Sequence, residues 1–278
     1  MAIATSAPAA ARRRSRPAAG PLATLVLRRL ALTIRTPREL LVPLLTPVLF
    51  AVLIAPALRQ AVHADASYEA YVALGTAGLL IPLNAMLAGI GAIVDRESGA
   101  QRELLTAPIP RSLIVVANLV VAVLITALQL AALLGAAVAR GVTFHASGTG
   151  VLWFVGAALL LAVTMYGVAE TLASRIRRQE EYVGRVPAVA IVPWFVAGSL
   201  FPITALPLAI TWIGRFLPLT HVLALMRYGL LGDSSGLHDI WRSSSVTAMA
   251  AMSLGVVAAF AALLTLLAIR SFTRAARA

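Results

Sequence analysis

The chain has 278 residues, a formal net charge of +12 and a hydrophobic content of 60%. Soluble domains contain about 45–50% apolar residues, so this excess and the mean hydropathy of +0.90 exclude a soluble globular fold. The long apolar runs predict an all-α integral membrane protein, since a helix satisfies its own backbone groups in lipid.

Two missing residue types exclude further classes of protein. The chain has no cysteine, which excludes disulfides, thiol catalysis and cysteine metal sites. It also has no lysine, because all 23 basic residues are arginine. A phosphate loop of the GxxxxGK[ST] type needs its lysine to reach the terminal phosphates. We therefore expect no ATP site of that type in this chain.

The first 20 residues combine alanine, proline and a cluster of arginines, with no apolar core directly behind them. A secretory signal would need an apolar stretch of about 7–15 residues and a small-residue cleavage site. We predict a disordered cytosolic tail over 1–20. A basic nucleic-acid-binding arm is the alternative, although basic tails beside a membrane span are ordinary. The remainder, 21–278, is predicted to be one transmembrane domain.

Residues 21–35 are too short and too basic to span a bilayer. At 100° per residue, Thr24, Arg28 and Arg35 share one side, and the leucines lie largely opposite. This pattern is typical of an amphipathic helix in the inner membrane interface. The following Thr36-Pro37-Arg38-Glu39 has the residue order of a helix start. One long kinked helix is the alternative.

Six apolar segments are near or above the roughly 20 residues that a spanning helix needs. Pro193 interrupts the fifth of them, which is also short and has the least certain edges. The predicted spans are about 40–58, 70–94, 112–139, 150–174, 187–206 and 246–269.

The arginines orient these spans. With the N-terminus inside, eighteen arginines fall in inner segments and five in outer ones. The positive-inside rule then predicts that both termini are cytosolic in a multi-pass protein of the plasma membrane. The charge of +12 indicates contact with anionic lipid rather than with nucleic acid.

A charged island at 95–111 connects the second and third predicted spans. Its Ser98-Gly99-Ala100-Gln101 has the pattern of a capping box, and two prolines follow at 108 and 110. We predict a two-turn helix over about 99–106 that carries Arg102 and Glu103 on its surface. Leu104 and Leu105 then need a partner, either the membrane interface or a groove in another protein. A solvated loop is the alternative.

The connection 207–245 is too apolar for a free outer loop. Pro207, Gly214, Pro218 and Gly232 divide it into pieces of a length typical of re-entrant or interfacial helices. Its aromatic residues, Trp212, Tyr228 and Trp241, are placed as interface anchors. We predict two half-helices that dip into the membrane from outside.

Few polar residues lie inside the spans. Asn84, Gln129 and Thr164 could line a substrate path, but such groups often only form hydrogen bonds between helices. Glu170 is the acid that lies well inside a span, which indicates either a function or a pair with Arg175 or Arg177. The histidines at 63, 145 and 221 share no metal-ligand spacing with carboxylates, so no metal site is predicted.

Two motifs resemble the permeases of ABC type-2 transporters, including the membrane subunits of daunorubicin-efflux-like drug and lipid exporters. The first is Asp-Arg-Glu-Ser-Gly-(x)3-Glu-Leu-Leu-(x)2-Pro-(x)2-Arg at 95–111. The second is Phe-Pro-Ile-(x)2-Leu-Pro from 201, followed by Leu-Pro-Leu-Thr-His from 217 and Met-Arg at 226–227. The resemblance covers roughly 20–275. Ala100-Gln101 departs from it where Thr or a second apolar residue is expected.

The resemblance implies six spans, an N-terminal interfacial helix, a cytosolic coupling helix in the first inner connection and re-entrant helices before the last span. It implies two ABC ATPase subunits, which bind ATP and Mg, and a second permease copy or a similar permease, with no cofactor bound by this chain. The coupling role then falls on Asp95, Arg96, Glu97, Gly99, Arg102, Glu103, Leu104, Leu105, Pro108 and Arg111. The re-entrant segment includes Pro207, Gly214, Pro218, Thr220, His221 and Arg227.

The expected function is therefore export of an amphipathic drug, lipid or glycolipid-like molecule, driven by a separate ATPase. An ion-coupled carrier or an intramembrane enzyme is the alternative. A hydrolase needs a nucleophile and a base together at membrane depth, and no serine or threonine of a span has such a neighbour in the sequence. An ion-coupled carrier usually has acids at mid-membrane, and only Glu170 comes near. A structural or assembly factor is a third, weaker possibility.

Overall fold

A computed structural model describes residues 20–35, 45–61, 63 and 67–276. Within these ranges the chain is helical and has no strand. In chain order the helices are α1 Pro21–Arg35, α2 Leu45–Ala61, α3 Ser67–Glu97, α4 Ala100–Thr106, α5 Arg111–Ala139, α6 Gly148–Arg175, α7 Gln179–Val183, α8 Val186–Val196, α9 Leu208–Phe216, α10 Pro218–Leu231, α11 Ser235–Ile240 and α12 Val246–Ala275.

Four of these helices, α3, α5, α6 and α12, are long and apolar enough to cross a membrane. They agree with the predicted spans at 70–94, 112–139, 150–174 and 246–269 to within a few residues, except that α12 continues to Ala275. The predicted first span corresponds to the shorter apolar helix α2, which contains a π-helical turn. The tail 1–19 and the helix start at 36–39 lie outside the described residues.

The predicted fifth span, 187–206, is wrong as a continuous helix. Helix α8 passes through Pro193 but ends at Val196, and the chain turns at Gly198, whose φ of 78° favours glycine. The Ser199 hydroxyl donates back to the Trp194 carbonyl at 2.6 Å. A 3₁₀ turn over Ile203–Ala205 follows. The turn replaces helical hydrogen bonds with side-chain bonds, which the apolar sequence pattern does not reveal.

The connection before α12 divides at Pro207, Pro218 and Gly232, as predicted, whereas Gly214 lies within α9 and does not divide it. Helices α9 and α10 meet at an angle of 81° at Leu217, immediately before Pro218. Gly232, with φ 70°, ends α10. This geometry fits either a broken span or a re-entrant pair of half-helices. The short helix α11 was not anticipated by the sequence.

Helix α6 is the centre of the bundle. It packs most extensively on α12, α3 and α10, and small residues allow the close approach. A Cβ at Gly167 would overlap the backbone of Leu264 in α12, and Gly150 and Gly229 leave room for the carbonyl oxygens of each other between α6 and α10. Close backbone contact of this kind is the usual way that membrane helices associate.

The bundle has two distinct ends. One end, here called the inner end, carries the α3–α4–α5 connection, the α6–α8 connection and the C-terminus of α12, as contacts of Arg96 and Arg111 indicate. The other end, the outer end, brings the N-terminus of α3 together with the connections at 140–147 and 231–235, where the His145 amide donates to the Leu230 carbonyl. The names follow the orientation predicted from the arginines.

The glycine contact between α6 and α10 predicts a stability effect. In Gly229→Ala the new Cβ would overlap the Gly150 carbonyl, and we expect a loss of about 1–3 kcal/mol, typical of overpacking. Thermal unfolding of the purified protein in detergent measures the effect. Gly135→Ala on α5, where a Cβ meets nothing within 4 Å, is the matched control. Equal melting temperatures for the two variants would contradict the proposed contact.

Candidate functional site

The charged island forms the short helix α4, as predicted from the sequence. Its start differs from the prediction: Gly99 lies at the N-cap with a left-handed φ of 81°, and no side chain caps the helix. The predicted capping box is therefore wrong. Ser98 instead extends the end of α3, with its hydroxyl 3.4 Å from the Asp95 carbonyl. A single glycine thus sets the direction of α4 relative to α3.

The two faces of α4 have different surroundings. Arg102 and Glu103 are exposed, as predicted. Leu104 and Leu105 are half-buried against the main hydrophobic core of the same chain. The expectation that these leucines need the membrane interface or another protein is corrected by this packing. The exposed face offers charges, and the apolar face fixes α4 to the bundle.

Asp95 forms ion pairs within the chain. One carboxylate oxygen lies 3.1 Å from Arg29 Nη1, and the other lies 3.8 Å from Arg28. Both arginines belong to α1, and the Arg29 guanidinium occupies the space left by Gly91, where a Cβ would overlap it. Asp95 therefore attaches the N-terminal helix to the end of α3.

Arg96 and Arg111 also make contacts inside the chain. Arg96 donates to the carbonyls of Ala173, at 2.9 Å, and Ile176, which lie at the C-terminus of α6. A cation at this position satisfies carbonyls that the helix leaves without partners. Arg111 reaches the Thr273 carbonyl at 3.4 Å. These two arginines join α6 and α12 to the first inner connection.

Glu97 faces outward, in contrast to Asp95. It is exposed and lines an open cleft of about 840 Å³ at the inner end. The cleft lies between the end of α3 and the second inner connection, and its other lining residues are Arg178, Gln179, Glu180, Val183 and Gly184. Of the charged residues predicted for coupling, Glu97, Arg102 and Glu103 are the exposed ones, while Pro108 is an exposed apolar residue after α4.

Comparison with known proteins decides the family. The model of the family described as ABC-2 type transporter matches residues 21–231, well over half of the 278 residues. The chain belongs to the ABC-2 type transporter family. No match was found among curated proteins. As a member, the chain is a multi-pass membrane permease without an ATP-binding site, of a family that works with ABC ATPase partners.

The polar residues inside the spans of this ABC-2 permease are buried within the bundle. The Asn84 amide donates to Thr126 Oγ1 at 2.6 Å and to the Ala122 carbonyl at 3.0 Å, which joins α3 to α5. The Thr164 hydroxyl donates to the Leu160 carbonyl of its own helix. Gln129 is also buried. Asn84 thus acts as a bond between helices, which was the alternative to a place on the path.

Glu170 pairs with a tyrosine rather than an arginine. Its side chain is 1% exposed, and it accepts a hydrogen bond of 2.9 Å from the Tyr166 hydroxyl, one turn earlier on α6. The predicted pair with Arg175 or Arg177 is therefore wrong. The i, i+4 spacing of Tyr166 and Glu170 could have indicated this bond, but opposite charges were the stronger signal.

A buried arginine organises the outer end. Arg227 on α10 is 5% exposed and donates to the carbonyls of Gly198, at 2.9 Å, and Ser199, at 2.7 Å, in the turn after α8. Its guanidinium lies 3.4 Å from the ring centroid of Tyr71 on α3. The flat guanidinium can both donate to the two carbonyls and stack on the ring. The sequence indicated Arg227 but gave no sign of these partners.

The other residues of the predicted re-entrant segment support the α9–α10 pair. Gly214 lies against the Val196 carbonyl, Pro207 and Pro218 precede or begin a helix, and Thr220 is buried. His221 is buried too, with Nδ1 3.2 Å from Ser253 Oγ and Nε2 3.0 Å from the Arg215 carbonyl.

The serine beside His221 is a neighbour that the sequence did not show. Trp241 Nε1 donates to Ser253 Oγ at 2.8 Å. Because His221 Nε2 faces a carbonyl and must carry the ring proton, Nδ1 of the neutral ring accepts from the Ser253 hydroxyl. The second ring nitrogen then donates to a backbone carbonyl, not to a carboxylate. Ser253 is completely buried. The arrangement holds α9, α10 and α12 together and lacks the access that a hydrolase requires.

An open cavity of about 940 Å³ lies at the outer end. The buried Glu69 binds Arg59 at 2.7 Å on one wall. Arg140 and Asp233 supply further charges, and Tyr68 supplies an aromatic surface. His63 and His145 line the cavity as well, yet the described residues contain no group of three histidines or acids that could hold a metal ion.

Two neighbouring carboxylates allow a direct comparison. Asp95→Asn removes the charge that holds Arg29, and we expect a stability loss of about 1.5–3 kcal/mol, typical of a hydrogen bond to a charged group. Glu97→Gln changes an exposed group and should leave the stability within about 0.5 kcal/mol. Thermal unfolding of both variants measures the difference. A melting temperature for Asp95→Asn equal to that of the parent chain would contradict the role of Asp95 in holding α1.

Proposed function

We propose that this chain is the permease subunit of an ATP-driven exporter that moves an amphipathic drug, lipid or glycolipid-like molecule out of the cytoplasm. Two permeases, either two copies or a similar pair, would work with two separate ATPase subunits. The observation that carries the proposal is the exposed charged face of α4, at the inner end of a chain that belongs to a permease family.

Helix α4 is placed to transmit a displacement by a partner protein to the spanning helices. It is joined to two spanning helices, to α3 through Gly99 and to α5 through the segment 107–110. Leu104 and Leu105 pack against the core, so a displacement of α4 also displaces its neighbours. Glu97, Arg102 and Glu103 supply charges of both signs, which favour specific pairing with a complementary surface.

The same contacts suggest a route for the motion. Arg29 and Asp95 join α1 to the end of α3, and Arg96 joins α3 to the end of α6. A force on α4 therefore reaches the N-terminal helix and two spans at the inner end. We propose that the movement continues to the interface between permeases and opens a path between opposed copies of α3, the second predicted span, and of α8, the helical part of the predicted fifth.

The proposed direction rests on the resemblance to drug and lipid exporters, and the apolar walls of the bundle support the proposed substrate class. A pathway with apolar walls suits the acyl or aromatic part of an amphipathic molecule. The outer cavity, with Arg140, Asp233 and Tyr68 on its walls, has the volume of a small-molecule site and could receive the polar part as it leaves. Asn84, Gln129 and Thr164 are buried inside one subunit, which makes them weaker candidates for the path than the outer cavity.

The alternatives have less support in the geometry. An ion-coupled carrier would need an acid that changes partners, whereas Glu170 is enclosed and bonded to Tyr166. An intramembrane hydrolase would need an accessible nucleophile, whereas Ser253 is completely buried between His221 and Trp241.

The coupling proposal predicts a partner that depends on α4. Affinity purification of the tagged chain from its native membrane should recover a P-loop ATPase. Alanine at Glu97, Arg102 and Glu103 together should abolish that recovery and any export, because the complementary charges are lost. Membrane insertion should not change, since all three side chains are exposed.

A control uses exposed polar side chains at the opposite end. His238→Ala with Arg242→Ala changes two exposed groups far from α4 and should leave recovery of the ATPase intact. Absence of any ATPase in mild detergent would contradict the proposal, and an ion-driven carrier would then be tested. Recovery with the triple variant as well would place the coupling surface elsewhere.

The proposed orientation is testable because the chain has no cysteine. Thr143→Cys and Gln179→Cys each create a single thiol at an exposed position, at the outer and inner ends respectively. An impermeant maleimide added to intact cells should label only the first, and permeabilised cells should allow labelling of both. The opposite pattern would reverse the proposed orientation, with both termini then outside the cytoplasm.

A further inference from the structure

The second inner connection inserts one side chain into the bundle. In the short helix α7, Tyr182 is 0% exposed, while Glu181 and Val183 on either side of it are exposed. A surface helix of five residues has little intrinsic stability. The buried tyrosine is therefore the main contact that fixes α7 to the rest of the protein.

The tyrosine occupies a site that is shaped for its hydroxyl. The Tyr182 hydroxyl donates to the Met86 carbonyl of α3 at 3.0 Å and lies 3.5 Å from the Ala169 carbonyl of α6. Gly89 provides the space, because a Cβ at this position would overlap the hydroxyl. Burial raises the pKa of Tyr182, so the hydroxyl remains protonated and able to donate.

This site is separate from the main core. Tyr182 belongs to a second hydrophobic cluster at the inner end, formed with residues of α3, α6 and the segment after α6: Met86, Ile93, Ala169, Ala173 and Ile176. Removal of Tyr182 would leave the seam between α3 and α6 without its central side chain. Tyr182 is not a member of the main core, so its position affects the small cluster most directly.

An open cleft at the inner end lies next to the tyrosine. Residues on both sides of Tyr182 line the cleft together with Glu97: Arg178, Gln179, Glu180, Val183 and Gly184. Glu97 lies next to the connection that leads into α4, the proposed contact with the ATPase. A body that occupies the cleft would touch α7 and the end of α3 at the same time.

From these contacts we propose that Tyr182 is a positioning residue that links the ATPase state to the seam between α3 and α6. It is inserted when the cleft is relaxed and withdraws when the ATPase moves α7. Withdrawal breaks the hydrogen bond to the Met86 carbonyl and frees the space beside Gly89. This inference rests on the proposed function, because it takes the ATPase as the body in the cleft.

The test uses a single cysteine as a reporter. Met86 is buried, and its sulfur lies 3.7 Å from the Tyr182 hydroxyl, so Met86→Cys introduces the one thiol of the chain directly at the site. The complex with its ATPase is reconstituted in lipid nanodiscs. Maleimide labelling of the permease is then followed without nucleotide and after trapping with ATP and vanadate.

With Tyr182 intact, we expect the labelling rate to rise roughly tenfold on trapping, which corresponds to about 1.4 kcal/mol in the equilibrium between inserted and withdrawn states. In Tyr182→Ala, and in Gly89→Ala, the rate should be high in both states. Tyr182→Phe retains the ring and should show a smaller difference between states, because only the hydrogen bond is lost.

Glu181→Gln is the control, since Glu181 is exposed on the same helix and is not among the residues that line the cleft, and it should behave as the parent chain does. Equal labelling rates in the two nucleotide states with Tyr182 intact would overturn the inference and leave Tyr182 a fixed packing residue. That result is distinct from failure of the proposed function, in which no complex with an ATPase could be isolated at all.

Discussion

Close backbone contact around α6 is the constraint on which the rest of the structure depends. Lipid provides no hydrophobic force that would drive apolar helices together, so packing must supply the attraction. Gly150 lies against Gly229 of α10, and Gly167 lies against Leu264 of α12. These contacts hold α10 and α12 close to the backbone of α6. The hydrogen bonds and ion pairs at the two ends add stability to a bundle whose centre is held by backbone contact.

At the ends of the bundle, side chains form hydrogen bonds with backbone carbonyls where helices end. At the outer end, Arg227 and Tyr71 both donate to the Gly198 carbonyl, and Tyr68 donates to the Leu200 carbonyl. At the inner end, Arg96 performs the same role for the C-terminus of α6. Irregular backbone is tolerated at membrane depth only where protein groups satisfy it in this way.

The sequence predicted the long helices well, because a run of apolar residues has few other structures available in lipid. It failed at Val196, where the chain leaves the helix and the carbonyls of the following turn bind side chains more than a hundred residues away, such as Tyr68. No local pattern contains that information.

For the predicted coupling residues too, the sequence does not show which side chains are already bound within the chain. Asp95 and Glu97 are two residues apart on one helix, so they lie about 200° apart around its axis and face different surroundings. The resemblance to the permease family assigned both of them to contact with a partner. Only the position of α1 shows that Asp95 is already bound within the chain. The sequence did not indicate Tyr182, because a single tyrosine in a charged connection gives no periodic signal.

Arg227 also has a consequence for the order of assembly during membrane insertion. Its positive charge is buried against carbonyls and an aromatic ring, and the groups that receive it come from α3 and from the turn after α8. An unpartnered arginine in lipid is costly, so α10 gains a stable position only after both of those elements are in place. Assembly therefore places α3 and the turn at Gly198 first, and the bent pair α9–α10 docks after both of them.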